Sequence, residues 1–76
     1  MTTWLEKMNQ AINECIEAKE LFGTGAQETI CLCRRVSNVR KDAQSVISGE
    51  LSPDVFTYTG DPKEAIDRWH AYTVGR

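Results

Sequence analysis

The tetrapeptide Phe22-Gly23-Thr24-Gly25 decides the fold, because one helical pattern runs up to it and another runs away from it. Gly23 suits the left-handed position that closes a helix, since it has no β-carbon to oppose that conformation. Thr24 with Gln27 offers a capping box, in which two side chains each satisfy an orphan backbone donor of a second helix. The breaker therefore reads as the turn of an antiparallel helical hairpin.

Upstream, residues 3–22 read as a helix opened by the T-x-x-E box of Thr3 and Glu6. Trp4, Leu5, Met8, Ile12, Cys15, Ile16 and Phe22 fall within one arc of about 120°. Glu6, Gln10, Asn13, Glu17 and Glu20 occupy the opposite arc, with Glu14 at its edge. Leu21 breaks the pattern outward. Lys19 breaks it inward, where its stem packs while the amine reaches water.

Downstream, residues 25–48 read as the second helix. Leu32, Val36, Val39, Ala43, Val46 and Ile47 form its apolar face. Gln27, Cys31, Arg34, Asn38, Lys41 and Ser45 face out, with Ile30 the apolar exception. Folding about Thr24 brings together residues whose numbers sum to about 48. Ile16 then meets Leu32, Cys15 meets Cys33, Ile12 meets Val36, Met8 meets Val39 or Arg40, and Leu5 meets Ala43. Each buried apolar side chain contributes about 1.5–3 kcal/mol, and the spacing favours a shallow crossing near ~20°.

Residues 51–60 read as a turn segment. Ser52-Pro53-Asp54 starts a helical turn that the β-branched and aromatic run Val55-Phe56-Thr57-Tyr58-Thr59 cuts short. Asp61, Pro62 and Glu64 open a third helix over 61–73. Its apolar side, Ala65, Ile66, Trp69 and Tyr72, is expected to lie across the hairpin with Val55 and Phe56. Val74-Gly75-Arg76 is expected to fray. The fold class is all-α: one domain, a long hairpin plus a third helix in a three-helix bundle-like arrangement. A chain of 76 residues buries only about 60% of its unfolded surface. Self-association, with a dimer favoured, is the expected compensation.

Composition removes several functions. The chain is 41% hydrophobic and 26% charged with net charge −2, which argues against disorder and against non-specific binding of DNA or anionic membrane. No apolar run approaches the ~18 residues of a membrane span. Met1 leads straight into a helical pattern rather than a signal segment. The expectation is a complete small cytoplasmic protein, in host cytoplasm if phage-encoded, with reduced cysteines.

Cys31-Leu32-Cys33 resembles a metal motif only in spelling, because mid-helix C-x-C side chains point about 160° apart. Cys15 and Cys33 read as small core residues whose apposition permits a disulfide in an oxidising setting, leaving Cys31 exposed. His70 lacks an orienting partner and a nucleophile. No phosphate loop, nucleophile elbow or dinucleotide fingerprint is present. The expectation is a protein without enzymatic activity, cofactor or metal.

Charge carries the functional reading. Arg34, Arg35, Arg40 and Lys41 lie within eight residues with no acid between them. The first helix opposes them with Glu14, Glu17 and Glu20. Opposed charged faces steer a protein partner and fix its register, and Trp69 and Tyr72 are typical interface anchors. These residues, together with Asn38, are the expected binding site. The function they imply is that of a small protein-binding module, a phage, mobile-element or bacterial regulator that inhibits or modulates its partner by occupying a surface. Two alternatives stand beside it. One is a nucleic-acid accessory protein using the stripe of Arg34, Asn38 and Lys41. The other is a metal- or redox-responsive helical module.

Overall fold

The computed structural model describes residues 2–74. Three helices follow in order: α1, Trp4–Phe22; α2, Gln27–Ser48; and α3, Pro62–Val74. A single 3-10 turn, Pro53–Val55, interrupts the connection between the last two.

Local chemistry sets the ends of α1 as the sequence implies. Thr3 Oγ1 accepts from the Glu6 amide at 3.0 Å, and Glu6 Oε1 accepts from the Thr3 amide at 3.3 Å. Gly23 closes the helix with φ 88° and ψ 161°. The start of α2 differs from expectation. Ala26 is the N-cap and no side chain caps the helix, so the Thr24–Gln27 box does not form. Thr29, one turn in, is turned inward and is 1% exposed. Its hydroxyl lies 2.7 Å from the Gly23 carbonyl and 3.1 Å from the Ala18 carbonyl. The first turn of α2 is thus tied to the last turn of α1.

A disulfide joins Cys15 to Cys33 with Cα atoms 4.9 Å apart. It fixes the hairpin at the mirrored register, and it replaces the expectation of reduced thiols. The buried residues of α1 are Trp4, Met8, Ala11, Ile12, Cys15 and Ala18; without Ile12, which lies beside them, they follow alternating +4 and +3 steps. The expected arc was rotated toward Ile16. In the structure Ile16 is 39% exposed, Phe22 55% and Ile47 47%, because alanines occupy the line of closest approach. Val36, Val39 and Ala43 face the seam from α2, and Ala65 joins them from α3.

Helix α3 lies along the hairpin rather than across it. Its contacts advance in step with α1: Arg68 Nε donates to Asn9 Oδ1 at 2.8 Å, and Tyr72 reaches Cys15 and Lys19 further along. It therefore runs parallel to α1 in an up-down-up bundle. Asp61 caps it, its Oδ1 accepting from the Lys63 amide at 2.9 Å.

The segment before α3 enters as extended chain. Trp4 N donates to Thr59 O, and Thr59 N donates to Thr2 O, each at 3.0 Å. Phe56 and Tyr58 pack edge-on to the Trp4 ring, with centroids 5.1 and 4.8 Å away. Trp4 is consequently 2% exposed, whereas Val55 is 64% exposed and takes no part in the core. The expected fraying beyond Val74 lies outside the described residues. Among those described, no helix is long and apolar enough to cross a membrane.

Candidate interaction surface

The predicted basic strip does not stay together. Arg34, Asn38 and Lys41 are exposed on the outside of α2. Arg35 leans across the open groove between α1 and α2, its Nη1 3.8 Å from Glu14 Oε1. Arg35 is well exposed and Glu14 partly so, and at that separation the pair contributes little to stability. Arg40 turns the other way and stacks over the Trp69 ring, 4.9 Å from its centroid.

The predicted aromatic anchors face inward to a similar degree. Trp69 and Tyr72 are half-buried. Tyr72 OH accepts from Lys19 Nζ at 3.2 Å and lies 3.6 Å from Cys15 Sγ. These contacts hold α3 against the hairpin. His70 is exposed and meets Trp69 edge-on at 5.1 Å. No group of three or more potential metal ligands occurs among the described residues.

The acidic residues keep better company. Glu17 and Glu20 are exposed and Glu14 half-buried along α1. Glu14, Glu17, Ala18, Leu21, Phe22 and Leu32 line a depression of about 250 Å³ at the hairpin tip. Leu21 is 67% exposed. A second depression of about 220 Å³ continues along the α1–α2 groove, from Glu14 and Arg35 past Asn38 and Asp42 to Tyr58. Ile16, Ile30 and Val74 are also exposed toward the tip end of the bundle. Sequence reasoning placed Phe22 and Leu32 in the core. Its clues to this apolar tip were Leu21 and Ile30, which broke their helical patterns outward.

Compared with protein-family models, curated proteins and solved structures, the chain matches none of them.

Proposed function

We propose that the chain is a small non-enzymatic binding protein that modulates a protein partner by covering part of its surface with the hairpin tip. The observation that carries this reading is the exposure of Leu21 and Phe22 in a depression edged by the carboxylates of Glu14 and Glu17. Large exposed apolar side chains rimmed by charge mark interaction sites. The charge selects the partner: an amphipathic segment presenting a large apolar side chain next to lysine or arginine. The test is affinity capture with the wild-type chain and Leu21→Glu in parallel. A partner retained by the first at moderate salt and lost by the second supports the reading. Equal capture by both, or capture of a second copy alone, overturns the choice of a basic protein segment. A phage, mobile-element or bacterial regulator working in cytoplasm fits the size and class, and the identity of the captured partner tests that assignment.

A nucleic-acid role rests on Arg34, Asn38 and Lys41, which stay exposed along α2, but a net charge of −2 puts less behind it. Such a complex loses affinity steeply with salt.

A further inference from the structure

We propose that Cys15–Cys33 is a redox-active disulfide, opened by dithiols through attack on Cys33, with Cys15 as the leaving sulfur activated by Tyr72 and Lys19. The two sulfurs sit in different surroundings. Cys15 is 1% exposed, whereas Cys33 is half-buried at the margin of the core. Cys33 is thus the more exposed residue of the two, and the attack of an incoming thiolate is assigned to it.

The surroundings of Cys15 fit a departing thiolate. A bonded sulfur carries no proton, so in the 3.6 Å contact of Tyr72 OH with Cys15 Sγ the phenol is the donor. Lys19 Nζ in turn donates to the same oxygen at 3.2 Å and lies 5.8 Å from the ring centroid. The ammonium polarises the phenol, and the phenol aims its proton at the sulfur. Negative charge appearing on Cys15 meets this relay already in place. A sulfur whose thiolate is better stabilised leaves faster in thiol–disulfide exchange.

The step balances without further reagents. A thiolate of the dithiol bonds to Cys33 Sγ, the Cys15–Cys33 bond breaks, and its electron pair goes to Cys15. The second thiol of the reductant, deprotonated, then attacks the mixed disulfide. Cys33 leaves as a thiolate and takes up a proton, and the reductant departs as an oxidised cyclic disulfide. Two electrons pass to the protein, which is reduced. The reaction runs backward with a suitable disulfide. Opening removes the disulfide cross-link between α1 and α2, next to the Tyr72 contact that holds α3.

The experiment is the rate of reduction by dithiothreitol, counted by alkylation and mass, in a Cys31→Ser background so that the exposed third thiol takes no part. Tyr72→Phe and Lys19→Met each slow reduction by roughly three- to tenfold. The double variant is no slower than Tyr72→Phe, because the two groups act in series. Loosened packing exposes the bond and accelerates reduction, so a slower rate separates this role from a structural one. With glutathione as a monothiol probe, the trapped mixed disulfide maps to Cys33. Unchanged or faster rates in both variants, or a mixed disulfide on Cys15, overturn the proposal.

Discussion

Thr29 shows what a single residue contributes and why it was hard to anticipate. A threonine near the start of a helix reads as a solvent-facing polar residue, yet its hydroxyl reaches the carbonyls of both Ala18 and Gly23. It has one proton, so it donates to one carbonyl at a time. Replacing it with valine keeps the shape and removes the donor from a buried site. Thr29→Val is expected to lose about 0.5–1.5 kcal/mol of stability, the net worth of one hydrogen bond, since the Gly23 carbonyl keeps the Ala26 amide. Urea denaturation measures this, and a change under ~0.5 kcal/mol would assign the site to packing alone. Ala11 and Ala18 escaped notice for a related reason. They carry little hydrophobic signal, but a small side chain is what the closest approach of two helices requires. Met8 was legible because it is large and apolar. It is fully buried, and Met8→Ala is expected to cost about 2–5 kcal/mol in the same assay.

At the scale of elements, the hairpin was readable because its two stripes mirror about one breaker, and the cross-link at Cys15 and Cys33 meets that mirror. The bond encloses a loop of 18 residues by sequence separation. By loop-closure entropy its removal costs about 3 kcal/mol, in a model that assigns the effect to the unfolded chain. Reduction of the Cys31→Ser protein should therefore lower the unfolding free energy by about that amount while leaving helical circular dichroism intact. Loss of helicity on reduction would mean that apolar packing alone cannot hold α1 to α2. The turn itself is specified by Gly23, whose φ of 88° and ψ of 161° lie in a region open almost solely to glycine. Gly23→Ala meets no neighbour within 4 Å, so its expected cost of about 1–3 kcal/mol is backbone strain alone. Thermal melts of Gly23→Ala and the parent chain test this, and no shift would place the turn elsewhere. The path of α3 was less legible. Its caps were plain in Asp61 and Pro62, but its direction depends on residues 56–59 pairing with the N-terminus, a long-range contact that leaves no local periodicity.

For the whole molecule, the run of charge in the sequence and its arrangement on the folded surface differ. The sequence shows four basic residues in one run, and folding sends Arg35 to Glu14 and Arg40 to Trp69. What stays open is the tip, where Leu21 and Phe22 stand beside Glu14 and Glu17. A surface role and a folding role make opposite demands there. Leu21 is two-thirds exposed, so Leu21→Glu removes little buried area and is expected to change stability by no more than about 0.5 kcal/mol. The same change adds a third carboxylate to an acidic rim and takes away the apolar contact, so it should abolish capture of a basic amphipathic partner. Phe22→Ser acts on the apolar contact alone and should weaken binding without altering its salt dependence. Titration of the captured partner against each variant, paired with urea denaturation of the free chains, reads both quantities. If Leu21→Glu unfolds the chain, the tip belongs to the core of the fold. If it folds and binds as well as the parent, the interaction surface lies elsewhere, with the exposed Arg34 and Lys41 of α2 the next positions to reverse.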